Sequence, residues 1–268
     1  MKAILAALLA LPALACLDVG SLQGPRPPTG TGGAAGAACA SCSAAQCTSP
    51  PDNNPNLVAG LESGCDGPEV RNGRSTHWFT YASGQSVVQP SATASFVPSC
   101  VGANGSCYAA CISGLLAGNS YPYAGLGVGF GPGTFDLSAF AGVSFYVLGT
   151  IGSESGLRFS IPTIADSSVG TGGTCASGDL CNDAYQIPVP GFQPVGATTA
   201  FPTGSTQSGW QKVTVTFDML TQVGWGLPEA WDPAHVVSLS WGLNTPLETL
   251  DTDQDFTVCI DQIELIPR

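Results

Sequence analysis

Between Lys212 and Phe217 the chain alternates strictly, with Val213, Val215 and Phe217 on one parity and Lys212, Thr214 and Thr216 on the other. A period of two belongs to a strand that buries one face and wets the other, not to a helix, whose apolar stripe recurs every three to four residues. The closing segment repeats the pattern with a slip: Phe256, Val258 and Ile260 fall on even positions, Ile263 and Leu265 on odd ones. One extra residue would restore the inward facing, so a β-bulge is expected at Asp261–Gln262. The same parity turns Val143, Phe145 and Val147 inward and Tyr146 outward. It also places Arg158 and Ser160 outside a strand built on Leu157, Phe159 and Ile161, and Trp241 inside with Val237 and Leu239.

Composition supports an all-β chain. The 268 residues include 35 Gly and 21 Pro, only 10% are charged, and no long amphipathic helical pattern appears, as expected of many short strands joined by tight turns in one domain. The first 15 residues read as a signal peptide: Lys2, an apolar run from Ala3 to Leu11, and the cleavage motif Ala13-Leu14-Ala15. Cys16 then becomes the first mature residue and a candidate for lipidation, although Ala13 and Leu14 depart from the usual lipobox, which leaves plain secretion as the alternative. Residues 16–55 form a Gly-, Ala-, Pro- and Ser-rich tether without periodicity, and 56–268 form the β domain.

The chain has 11 cysteines, and setting Cys16 aside leaves an even number, which in an exported protein reads as disulfides. Their connectivity is open, with Cys175–Cys181 favoured as a short local loop. Zinc at Cys39, Cys42 and Cys47 lacks a nearby fourth ligand. The formal net charge of −12 argues against nucleic acid and anionic lipid as partners. His77 and His235 are the two histidines, and no H-E-x-x-H, G-x-S-x-G or phosphate-binding glycine loop is present, so a non-catalytic role is expected. Both histidines read as surface or turn residues. Asp251-Thr-Asp-Gln-Asp255 fails the EF-hand pattern, because Phe256 replaces the required glycine and Gln262 the closing Glu.

The order of these pieces resembles the β-jelly-roll modules related to family-11 carbohydrate-binding modules and other galactose-binding-like domains of bacteria. The resemblance rests on Asn56-Leu-Val-Ala-Gly-Leu-Glu-Ser-Gly64, Asp136-Leu-Ser-Ala-Phe-Ala-Gly-Val-Ser-Phe145, Trp210-Gln211, Gln222-Val-Gly-Trp-Gly226 and Ile260-Asp-Gln-Ile263. It implies a two-sheet antiparallel β-sandwich, a jelly roll of galactose-binding-like type, with Trp210 and Trp225 structural. It further implies a structural calcium between the first and last strands, held by Glu62 and Asp261 together with backbone carbonyls freed by the bulge.

Two functions follow. One is a carbohydrate-binding module facing a polysaccharide or envelope glycan, exported and tethered to a bacterial envelope through a lipid on Cys16. The other is a surface structural or protein-interaction domain without a sugar site. For the first, Tyr146 and Arg158 are expected together on an exposed concave face, joined by Trp78, Asp183 and Tyr185. A concave face with exposed aromatics beside polar groups favours the first reading; a face filled with aliphatic or small residues favours the second.

Overall fold

The computed structural model describes residues 54–268 except 60, 62–68, 72–73, 97, 100–101, 104–105, 119–120, 132, 194–205, 208 and 245–251. The leader, residues 16–53 of the tether with Cys16 and the Cys39–Cys47 cluster, Glu62 and Asp251 therefore lie outside the described residues. Thirteen strands follow in order: β1 (Leu57–Ala59), β2 (Glu69–Arg71), β3 (Arg74–Ala82), β4 (Val87–Gln89), β5 (Ala110–Leu116), β6 (Tyr123–Phe130), β7 (Phe140–Thr150), β8 (Gly156–Ile161), β9 (Tyr185–Pro188), β10 (Thr206–Gln207), β11 (Trp210–Thr216), β12 (Ser238–Asn244) and β13 (Gln254–Pro267). Short 3-10 turns are the only helical segments among the described residues.

The strands form two antiparallel sheets. A seven-stranded sheet runs β10-β11-β7-β13-β5-β4, with β1 also paired to β13. A six-stranded sheet runs β2-β3-β6-β12-β8-β9. Their apolar faces meet as the jelly-roll sandwich that the alternation requires. From the seven-stranded sheet come Val143, Phe145, Val147, Val213, Val215, Val258 and Ile260; from the six-stranded sheet come Leu126, Leu157, Phe159, Leu239 and Trp241. At the centre Trp241 is fully buried, with Phe145 edge-on at 5.2 Å between ring centroids and Phe159 at 5.4 Å. Burial of each such side chain contributes about 1.5–3 kcal/mol.

The bulge falls where the parity slips. Asp261 of β13 pairs with Tyr146 of β7, yet the next partners are Glu264 and Ser144, and Gln262 sits at φ +45°. Three steps on β13 thus span two on β7, and Ile263 and Leu265 return to the core at 0% and 2% exposure.

Two disulfides are resolved. Cys175 and Cys181 close a short loop, with 5.8 Å between their Cα atoms. Cys111 of β5 and Cys259 of β13 stand directly opposite one another and are also bonded, across 148 residues of sequence. Cys107 is disulfide-bonded as well. Strand register brings Cys111 and Cys259 together, and spacing along the chain carries no trace of it.

Candidate ligand-binding face

Strand β3 is aromatic on both sides. Thr76 and Thr80 are buried and Trp78 packs against the core, so His77, Phe79 and Tyr81 point out of the six-stranded sheet. Register places a glycine of β6 opposite each: His77 faces Gly129, Phe79 faces Gly127 and Tyr81 faces Gly125. A Cβ on Gly127 would overlap Phe79 Cζ; one on Gly129 would lie 2.5 Å from His77 Cε1, and one on Gly125 2.5 Å from Tyr81 Cζ. The rings therefore lie down across the neighbouring strand, a posture that only glycine permits there. Their centroids are spaced 6.2 Å and 6.2 Å apart, and Tyr123 continues the row 6.3 Å beyond Tyr81.

The far side of this face is polar. Continuing the pairing, the row Tyr81–Gly125 runs on through Gly242 and Arg158 to Pro188, and the row Phe79–Gly127 through Ser240 and Ser160 to Gln186. Tyr81 spans Gly125 so fully that its hydroxyl would stand 2.8 Å from a Cβ on Gly242. Arg158 donates to Gln186 Oε1 at 3.4 Å. Burial, and then the neighbouring Tyr123, hold the Tyr81 phenol well above the ordinary tyrosine range, so it remains a donor at neutral pH. Burial pulls Arg158 below its ordinary value, although a guanidinium keeps its charge. Aromatic faces beside hydroxyl, amide and guanidinium groups can stack on an apolar C–H surface while bonding the hydroxyls around it.

The five residues expected at a ligand face are not gathered there. Arg158 alone occupies it. Tyr146 points outward as parity requires, but from β7 in the other sheet, so it and Arg158 lie on opposite outer surfaces of the sandwich. Tyr146 is half-buried among Trp210, Cys259 and Ala103, with the Lys212 ammonium 5.6 Å from its ring centroid. Trp78 turns inward and stacks on Phe96 at 5.5 Å and Trp241 at 6.3 Å. Asp183 is 1% exposed and latches a loop: Oδ1 accepts from the Val223 N–H at 3.1 Å, and Oδ2 from those of Gly224 at 2.8 Å and Gly226 at 3.1 Å. That latch holds up Trp225, which is half exposed despite being expected as structural, whereas Trp210 is buried. Tyr185 donates its hydroxyl to the Glu229 carbonyl at 2.8 Å and packs on Trp231. His235 belongs to a turn, bonded to Asp232 at 2.7 Å.

His77, Phe79, Tyr81, Tyr123 and Gln186 were not singled out together from the sequence. A signal existed in Gly125-x-Gly127-x-Gly129, because alternate glycines clear one face of a strand for something lying on it. A separate groove of about 350 Å³ on the seven-stranded sheet is lined in part by Asn54, Lys212 and Glu264, with Glu264 accepting from Asn54 and paired with Lys212 at 4.0 Å.

The expected calcium finds only Asp261 among the described residues. That carboxylate is fully buried; Oδ2 accepts the Ala103 N–H and Oδ1 the Gln262 N–H, each at 2.7 Å. The Gln262 amide, in turn, donates to the Ala103 carbonyl at 3.0 Å. Both carboxylate oxygens thus accept a backbone N–H, while Glu62, the other expected ligand, lies outside the described residues. Among the described residues, no three His, Cys, Asp or Glu side chains converge.

No protein-family model and no curated protein matches the chain. Among solved structures it is similar to a family 11 carbohydrate-binding module from Clostridium thermocellum in complex with a β-1,3-1,4-mixed-linked tetrasaccharide, at 15% identity and TM-score 0.45, over 79% of this chain and 95% of that one. It is similar also to the family 30 carbohydrate-binding module of a cellulosomal cellulase of the same organism, at 12% identity and TM-score 0.46, over 79% and 96%. An exo-β-agarase aligns at 13% identity and TM-score 0.41, over 80% of this chain and 25% of that one. Likeness at these values carries no functional weight by itself.

Proposed function

We propose that this protein is an exported, non-catalytic carbohydrate-binding module that takes a polysaccharide or envelope glycan across His77, Phe79 and Tyr81. The observation that carries the reading is the aromatic row laid on alternate glycines, with Arg158, Gln186, Ser160 and Ser240 beside it. A platform of this kind binds by stacking and hydrogen bonding and needs no reacting group. Strands β3, β6, β12, β8 and β9 contain no Asp or Glu, and the edge strand β2 contributes Glu69. Disulfides between Cys111 and Cys259 and between Cys175 and Cys181 support an oxidising compartment.

A glycan array probed with the full-length protein tests the reading. Phe79→Ala and Tyr81→Ala should each weaken binding by about 1–3 kcal/mol, as for loss of an aromatic anchor, while Tyr146→Ala on the opposite surface leaves it unchanged. No affinity for any glycan would overturn the reading in favour of a surface interaction domain. For localisation, we propose a diacylated Cys16 that holds the module at the membrane, since two chains suffice for stable anchoring. An unmodified intact mass of the mature chain would exclude that anchor.

A further inference from the structure

We infer that the glycan bound here is anionic, bearing carboxylate or sulfate groups, and that Arg158 receives them. This rests on the proposed function and names the substrate class for that face.

The charge distribution is the starting point. The chain carries 19 acidic residues against 7 Lys and Arg, yet β3, β6, β12, β8 and β9 hold none of the acidic ones, and the sheet's one acidic strand residue is Glu69 of the edge strand β2. Charge repulsion of a polyanion is weaker where carboxylates are sparse.

Arg158 sharpens the argument. It is half-buried, its hydrogen bond is the long one to Gln186 Oε1 at 3.4 Å, and no carboxylate pairs with it among the described residues. Lys212 on the opposite sheet does have a partner, Glu264 at 4.0 Å. A guanidinium partly removed from water and lacking a counter-charge is costly, and a bound anion supplies the missing charge in the planar two-pronged geometry that the fork prefers. The fork turns across to Gln186 of β9, on the far side of β8 from Gly242, over which the Tyr81 hydroxyl stands. A carboxylate or sulfate can accept from Arg158 at this polar end of the face while sugar rings of the same polymer lie on Tyr81 and Phe79. A neutral glycan would use the aromatic row, Ser160 and Gln186, and would leave the Arg158 charge uncompensated.

The test compares polymers that differ only in charge: polygalacturonate with its carboxyl-reduced form, and κ-carrageenan with its desulfated form. Affinity electrophoresis of the full-length protein should show binding at least about tenfold tighter to the charged member of one pair, the scale of a charge-assisted hydrogen bond. Which pair responds separates carboxylate from sulfate. Arg158→Gln should reduce that preference to less than about twofold, with near-UV circular dichroism unchanged, while Phe79→Ala weakens both members alike. The wild-type comparison needs no variant and stands even if Arg158→Gln misfolds. On an array carrying uronic-acid, sulfated and neutral glycans, binders confined to neutral sugars would overturn the anionic inference and leave the platform intact. An array without binders would overturn both.

Discussion

The glycine stripe under the aromatic row gives the sharpest separation between a folding role and a binding role. In Gly127→Ala, the new methyl would overlap Phe79 Cζ and lie 2.9 Å from Phe79 Cε1 and 2.8 Å from Ser240 Oγ. Every obstacle is a side chain, and the Phe79 ring is only half-buried, so it can lift off the sheet into solvent. Overpacking costs about 1–3 kcal/mol in a closed core. Here the low end applies, near 1 kcal/mol, and the Gly→Ala change returns roughly 0.4–1 kcal/mol by restricting the unfolded chain. Net stability should therefore fall by no more than about 1 kcal/mol, a shift of roughly 2–4 °C for a domain of this size. Affinity should fall far more. A displaced Phe79 removes one platform, worth about 1–3 kcal/mol or about 5- to 150-fold. Gly142→Ala is the contrast, since its methyl would run into the Val215 carbonyl and come within 2.9 Å of the Thr216 Cα, which are backbone and cannot swing away. That variant should lose stability and leave the affinity of its folded fraction intact. Calorimetric melting and titration on the same glycan read both quantities. If Gly127→Ala binds as wild type while Phe79→Ala does not, or if it melts more than about 10 °C lower, the posture assigned to the ring is wrong.

The disulfides should differ in weight. On the chain-entropy model, Cys111–Cys259, which spans 148 residues, is worth about 5 kcal/mol and Cys175–Cys181 about 2 kcal/mol, so chemical denaturation should find the Cys111→Ser/Cys259→Ser variant the weaker. An equal loss from the Cys175→Ser/Cys181→Ser variant would contradict that order. Asp261→Ala orphans the buried N–H groups of Ala103 and Gln262, at about 1–3 kcal/mol each, and the loss should be the same in calcium and in chelator. A chelator-sensitive wild-type midpoint that Asp261→Ala abolishes would instead restore the calcium shared with Glu62. Burial raises the Asp166 carboxyl above its ordinary value, against the bonds it accepts from Thr163 and Ser167. The folded protein thus binds that proton more tightly than the unfolded chain does, and its contribution to stability is lost as pH rises from the ordinary carboxylate value through the folded one. Melting across that window should show a slope that Asp166→Asn flattens.

Much of the architecture is legible in local pattern. Inward and outward facing along β7, β8, β11 and β13 follows from alternation, because side-chain direction has a period of two whatever the strand pairs with. The slip at Asp261–Gln262 locates the bulge for the same reason. Trp241 shares its parity with aliphatic neighbours and ends at the centre of the core. Cys175–Cys181 is legible because a loop that short closes with little help from the rest of the fold.

Parity says that a residue faces outward, but a sandwich has two outsides. Tyr146 and Arg158 are both outward, and membership of different sheets sets them on opposite surfaces, a fact of long-range pairing that no local pattern contains. β3 shows the complementary difficulty: aromatic residues on both parities give alternation nothing to sort, and only the opposing glycines of β6 and the facing core distinguish Trp78 from His77, Phe79 and Tyr81. Asp183 resembles a ligand-facing acid in a loop, until the fold turns three backbone N–H groups toward it. The sequence by itself determined the strands, their inner faces and the bulge, because these depend on neighbours along the chain. Tertiary structure alone decided which outer residues share a surface, which cysteines of distant strands meet, and that Arg158 shares a face with Tyr81, because those depend on which strands lie side by side.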